Sequence, residues 1–250
     1  MAATVYDQNA QFYVDFVDRG LASDGGYVAM LKETLLRLLG DRLRGARVCD
    51  LCCGEGYVSR FLLAEGAGEV VGIDLSAELV AVAKERAPAG PISYRVDDAG
   101  VLASVQDGVF DVVVSQMAMM DVADHAAMFR AVRRVLAPGG AFVFTLLHPC
   151  FEGRPFHVRD APPFLFDEAG LPSAFVVSRY ATEGYWNSGG EGVRGHMGAY
   201  HRTLSTYIND LIGAGFVLER LEEPLAGFNA TRIGVMAEVP TGLAIAARTA

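Results

Sequence analysis

The chain has 250 residues, 52% of them apolar and 20% charged, with a formal net charge of −9. That is enough length and apolar content for one well-buried domain. The acidic balance argues against a nucleic-acid partner, which needs a basic face, and favours a small-molecule substrate. No uncharged apolar run approaches the roughly 18 residues of a membrane span. Residues 1–7 lack the basic and apolar regions of a signal peptide, so the expectation is a cytoplasmic protein, monomer or homodimer, with no membrane partner.

In chain order, residues 4–20 read as a short helix with Tyr6, Ala10, Tyr13, Val14 and Val17 near one face. Residues 26–40 read as a stronger one, with Leu31, Leu35, Leu38 and Leu39 on its stripe and Gly40 as the stop. Strands then alternate with helices. Strands are expected near 47–52, 69–74, 92–96, 109–115 and 140–147, and helices near 56–65, 76–86 and 123–136. Such alternation predicts a doubly wound α/β sheet, mostly parallel, with helices on both faces. A helix near 202–213, a strand near 215–222, a turn and short helix over 227–238 and a last strand near 242–248 complete the chain.

Residues 148–200 break this rhythm. They are rich in proline, glycine and aromatic residues, and too long for an ordinary connection. Their aromatic density argues against disorder. The segment is read as a substrate cap inserted after the fifth strand. The cysteines, Cys49, Cys52, Cys53 and Cys150, offer no second pair to match Cys49 and Cys52, so reduced thiols and no metal are expected.

The most informative stretch is Val48-Cys49-Asp50-Leu51-Cys52-Cys53-Gly54-Glu55-Gly56-Tyr57, a buried strand entering a glycine turn. Gly54 and Gly56 permit positive φ. The next strand, Glu69 to Asp74, ends in an acid that would accept hydrogen bonds from a ribose. A glycine turn succeeded by a strand-end acid is the layout for a nucleoside-containing cofactor. Ser59 stands where the dinucleotide fingerprint wants a third small residue for helix packing. Glu55, if solvent-facing, is tolerable beside a ligand.

Asp50 to Gly56 resembles the D-x-G-x-G-x-G signature of class I S-adenosylmethionine-dependent methyltransferases, with Cys52 in place of the first glycine. Three further matches occur in order: Tyr94 to Ala99, Phe110 to Gln116, and the Leu136-Ala137-Pro138-Gly139-Gly140 turn. The resemblance covers residues 45–147. It implies a Rossmann-like seven-stranded sheet ending in an antiparallel hairpin, formed by the last two strands. It also implies S-adenosyl-L-methionine as cofactor and S-adenosyl-L-homocysteine as product. Cys52, Leu51, Gly54 and Gly56 would then shape the cofactor turn, and Asp50 or its neighbours would meet the ammonium. Asp74 would hold the ribose, Leu75 would pack on the adenine, and Asp98 and Ala99 would bond its edge. Ser115 and Gln116 would line the methionine portion. Asp98 could instead cap a helix next in the chain, or exchange roles with Asp97, and Ser115 could bond its own backbone.

On the acceptor side, an oxygen or nitrogen nucleophile needs a base within reach. His148 just past the fifth strand and His201 at the far end of the cap are the candidates, with His196 and His157 read as surface residues. Tyr13 with Tyr6, Met119 with Met117 and Met120, and the pair Tyr185 and Trp186 are candidates for the acceptor pocket, against the alternative of plain packing. Asp121 and Asp124 read as starts of the helix near 123. The expected organisation is a single methyltransferase domain over 1–250, with helices in 1–40 covering the pocket and 148–200 as the cap. The overall resemblance is to methyltransferases of quinone-like rings and secondary metabolites. An NAD-dependent oxidoreductase and a non-catalytic cofactor binder of the same fold are the alternatives.

Overall fold

The computed structural model describes residues 4–22, 27–151, 164–225 and 238–250. Strand side chains alternate between two apolar layers, and this period of two places the helices. In β5 (Leu136–Leu147), Ala141 and Val143 face one layer while Phe142 and Phe144 face the other. β1 (Arg47–Leu51) behaves likewise, with Val48 on one side and Cys49 and Leu51 on the other. The small-residue side receives α3 (Tyr27–Leu39) and α4 (Tyr57–Ala64) through Leu35, Leu38, Leu39, Val58 and Leu62. The aromatic side receives α6 (His125–Val135) and α8 (Leu204–Gly213) through Phe129, Val132, Tyr207 and Leu211.

The remaining strands of the sheet are β2 (Glu69–Asp74), β3 (Ile92–Val96), β4 (Phe110–Gln116), β10 (Phe216–Glu222) and β11 (Gly242–Thr249). Their order is β10-β11-β5-β4-β1-β2-β3. All neighbours are parallel except at β11, which runs against both β5 and β10. The seven strands and the closing antiparallel hairpin are those the sequence implied. The order reverses between β1 and β4, which opens a crevice at their carboxyl ends where ligands bind in such sheets.

Boundaries differ in informative places. The first predicted helix is two, α1 (Val5–Gln8) and α2 (Ala10–Leu21), because the Thr4–Asp7 capping box closes one short turn and Asn9 interrupts the run. β5 starts at Leu136, four residues before the predicted boundary, and absorbs the Pro-Gly-Gly turn as a register shift against β4. No helix comes directly after β3. Asp98 takes a turn instead, its Oδ1 accepting the Gly100 N–H at 2.7 Å.

The described residues of the segment after β5 form two small hairpins, β6 (Phe164–Phe166) with β7 (Pro172–Phe175), and β8 (Gly184–Trp186) with β9 (Ala199–His201). The one-turn helix α7 (Val193–His196) lies between β8 and β9. α5 (Ala77–Glu85) comes after β2. Most of the predicted turn and helix at 227–238, and His157, lie outside the described residues. No helix among the described residues is long and apolar enough to cross a membrane.

Candidate functional site

A cavity of about 500 Å³ opens at the carboxyl ends of β1, β2 and β4. Its sheet side is made by the turn after β1, by the end of β2, and by the turn after β3. Of the residues predicted for a cofactor, Cys52, Gly54, Asp74, Leu75, Asp98 and Ala99 line it. Cys52 and Gly54 both have positive φ, 60° and 54°, and so bend the chain back sharply after β1. Asp74 is pinned by this turn. Its Oδ2 accepts the Gly54 N–H and its Oδ1 accepts the Ser76 N–H, each at 2.8 Å. Burial raises its pKa, with the two backbone donors opposing.

Four predicted cofactor residues stand behind the cavity wall. Leu51 is a core residue. Gly56 caps α4 in the left-handed region, at φ 85°, and a Cβ there would lie 2.6 Å from the Tyr94 hydroxyl. The missing side chain makes room for the protein's own tyrosine. Asp50 is 1% exposed and accepts the Ser59 hydroxyl at 2.5 Å. Ser59, in sequence only a departure from a fingerprint, therefore ties the helix to the strand. Desolvation lifts the Asp50 carboxyl to about 7, against that hydrogen bond. Ser115 is buried, and its hydroxyl has no partner among the described residues. Gln116 does line the cavity. Its amide nitrogen binds the Tyr57 hydroxyl, while its buried Oε1 has no partner among the described residues.

Glu55 is not solvent-facing. Its side chain is fully buried, and Oε2 pairs with Arg60 at 2.7 Å and Arg86 at 3.2 Å. Arg86 forks onto Asp18 of α2 at 2.8 and 2.9 Å, which couples the amino-terminal helices to the cofactor turn. Asp7 adds a second tie, accepting the Ser76 hydroxyl at 2.6 Å.

The histidines are placed elsewhere than the sequence suggested. His148 is 2% exposed and does not line the cavity. Its Nδ1 accepts the Cys150 N–H at 3.1 Å, so the ring proton sits on Nε2, which donates to Glu223 at 2.7 Å. Both ring nitrogens are thus engaged away from the cavity. His201 is buried and donates from Nε2 to the Tyr180 carbonyl at 2.8 Å, also outside the cavity. His196 is exposed, as expected, and stacks on Phe12 with ring centroids 4.1 Å apart.

The side of the cavity away from the strand ends is aromatic. Tyr6 and Tyr13 come from the amino-terminal helices, and Tyr185, Met197 and Tyr200 from the segment after β5. Met117 lines it too, while Met119 and Trp186 are buried in the core. Asp121 is the residue that sequence reasoning misses. It is not a helix cap; Asp124 is, accepting the Ala127 N–H at 2.8 Å. Asp121 lines the cavity and pairs with Arg194 at 2.5 Å. Nothing local marks it, because its partner lies 73 residues away.

The residues present suit S-adenosylmethionine. A carboxylate oriented by two backbone donors lines the cavity beside a glycine turn on which the Tyr13 ring packs. The buried acceptor Oε1 of Gln116 fits a cofactor that brings its own ammonium donors.

Comparison with known proteins agrees. The model of the methyltransferase domain family matches residues 49–144. An uncharacterized protein of Haemophilus influenzae is 30% identical over 203 residues, 78% of this chain and 76% of its own length. The ubiquinone biosynthesis O-methyltransferase of Methylococcus capsulatus is 31% identical over 181 residues, 68% of this chain and 76% of its own. The crystal structure of an S-adenosylmethionine-dependent methyltransferase from Mesorhizobium loti superposes with a TM-score of 0.71 at 31% identity, covering 87% of this chain and 97% of that one.

Proposed function

The chain belongs to the class I S-adenosylmethionine-dependent methyltransferases, and on that premise we propose that its acceptor is a small, ring-containing molecule held between the amino-terminal helices and the cap. The observation that carries this reading is the aromatic lining itself: Tyr6, Tyr13, Tyr185 and Tyr200 converge on one cavity with Met117 and Met197. Flat rings stack on such walls, and methionine adapts to their edges. The ubiquinone biosynthesis O-methyltransferase of Methylococcus capsulatus, which is similar over most of both chains, supports the same class of acceptor.

The cofactor supplies a methyl group on a positively charged sulfur, already activated for in-line displacement. The protein's work is then alignment and exclusion of water. Asp74 would hold the ribose hydroxyls with the lone pairs its backbone partners leave over. Leu75 would pack on the adenine, and Asp98 and Ala99 would bond its edge. Cys52 and Gly54 would let the backbone approach the amino-acid portion, with Gln116 accepting from its ammonium. Of the helices expected to cover the pocket, α1 and α2 would close over both ligands together with the β8–β9 hairpin, while α3 packs on the far face of the sheet. Asp50 and Gly56 would act from behind, by fixing the turn.

Calorimetric titration of S-adenosylmethionine and of NAD, with Asp74→Ala as control, tests the cofactor side. Transfer of labelled methyl to a panel of phenols, catechols, quinols and ring amines, set against acyclic alcohols and amines, tests the acceptor side. Transfer confined to the acyclic compounds would overturn the proposal.

A further inference from the structure

Three elements far apart in sequence place a polar cluster on the wall of the cavity. Asp121 comes shortly after β4, Tyr6 lies in α1 and Arg194 in α7. Arg194 donates from Nη1 to Asp121 Oδ1 at 2.5 Å and from Nη2 to Oδ2 at 3.4 Å, while the same Nη1 also reaches the Gly198 carbonyl at 2.8 Å. Tyr6 and Asp121 lie close enough on this wall that each shifts the titration of the other. Tyr6 and Asp121 both line the cavity, and His148 and His201 do not. Asp121 is close enough for its charge to be felt at Cys52 in the cofactor turn and at Tyr13, which packs against Gly54. The cluster therefore adjoins the cofactor turn on the side where the aromatic walls meet.

Resting on the reading that this cavity takes S-adenosylmethionine and a small acceptor, we propose that the Tyr6 hydroxyl, backed by Asp121, receives the proton of the acceptor's nucleophilic atom, so that the acceptor is an oxygen or nitrogen nucleophile carrying a hydrogen. The acceptor's X–H bond breaks as its proton passes to the Tyr6 oxygen and the proton of Tyr6 passes to Asp121. The freed pair on X forms the X–CH₃ bond, and the pair of the broken S–CH₃ bond stays on sulfur, which becomes neutral. Asp121, left as the carboxylic acid, returns its proton to water when the site opens.

The electrostatics suit these roles. Burial raises the pKa of Tyr6, so the phenol keeps its proton until it is passed to Asp121. Burial also raises the pKa of Asp121, which makes it a better proton acceptor than an exposed carboxylate, and Arg194 opposes that shift. The charged and titratable groups facing Asp121 are Arg194 from the cap, Tyr6 and Tyr13 from the amino-terminal helices, and Cys52 from the turn. In these terms Tyr6 is the catalytic residue, and Asp121 and Arg194 position it and hold its charge balance.

The test needs no knowledge of the acceptor. S-adenosylhomocysteine and sinefungin share the cofactor frame, but sinefungin carries an amine where the methyl group lies, and its N–H groups imitate a donor at the transfer position. Calorimetry of both compounds with the full chain, with Tyr6→Phe and with Asp121→Asn should show S-adenosylhomocysteine affinity within about twofold of the original. Sinefungin affinity should fall about tenfold or more in both variants, as expected for one hydrogen bond to a charged group. Parallel weakening of the two compounds would mark a structural role and overturn the proposal, as would no change in either. Tyr6→Phe removes a single oxygen and keeps the ring against Tyr13, so it carries the test if Asp121→Asn does not fold. Failure of the unaltered chain to bind either compound would overturn the cofactor reading itself, a result distinct from both.

Discussion

The two sides of the cavity are built on different principles. One side comes from consecutive strand ends, where the cofactor is proposed to bind, and its key contacts are local or one βα unit apart. Gly54 meets Asp74 across 20 residues, and Ser76 meets the same carboxylate across two. The other side is assembled from residues 6, 13, 121, 185 and 200, and Asp121 there pairs with Arg194, 73 residues away. A parallel sheet forces the first arrangement, because every strand delivers its carboxyl end to the same edge. The second depends on two appended segments docking on that edge, and any polar group they bring must find its partner there.

If this contrast is right, variants on the two sides should fail differently. The largest effect should come from Asp50, behind the cofactor turn. Its folded pKa of about 7 lies above the ordinary 3.8. A carboxyl raised in the folded state contributes its stability fully below the unfolded pKa and loses it as pH rises through the folded one. Stability should therefore fall between about pH 4 and pH 7, by up to about 4 kcal/mol at 1.36 kcal/mol per unit. Asp50→Asn, which still accepts from Ser59, should flatten that part of the profile. Denaturant unfolding at a series of pH values would show it, and an unaltered slope in the variant would count against the buried carboxyl as its source.

Asp74→Ala should cost cofactor affinity on the order of 100-fold, since two hydrogen bonds to a charged acceptor are lost and the Gly54 turn loses its anchor. Calorimetry reads this directly, and a change of less than about threefold would remove Asp74 from the site. On the other side, Arg194→Met should lower stability by about 2 kcal/mol, because it strands a largely buried Asp121 without its cation. Its S-adenosylhomocysteine affinity should stay within about twofold. A loss of affinity matching that of Asp74→Ala would erase the distinction between the two sides. The smallest effect is expected at Cys52, a non-glycine residue at φ 60°. Cys52→Gly should raise stability by up to about 1 kcal/mol by relieving the left-handed strain, less what glycine gains in the unfolded chain. A drop in the thermal midpoint would show that the thiol's packing outweighs the strain.

The strand-end side of the cavity was largely legible because its signals are local. The glycine turn, the acid at the end of β2 and the Asp98-Ala99 pair all line the cavity in the order the chain presents them. What misled was direction. Asp50 and Gly56 belong to the same motif, yet face the Ser59 hydroxyl and the Tyr94 ring. His148 stands at the predicted strand end, but its ring is turned by the Cys150 amide and by Glu223, 75 residues further on. Asp121 read as a helix start because acids usually cap helices, and Asp124 beside it does so.

By itself, the sequence determined the alternation of strands and helices, the place of the glycine turn and the acids at the strand ends. These depend on periodicity and on the conformations single residues allow. Only the tertiary structure decided which polar side chains look into the cavity. That choice rests on partners from other elements, since a buried carboxylate, hydroxyl or imidazole turns towards whichever donor or acceptor the packed fold brings within reach.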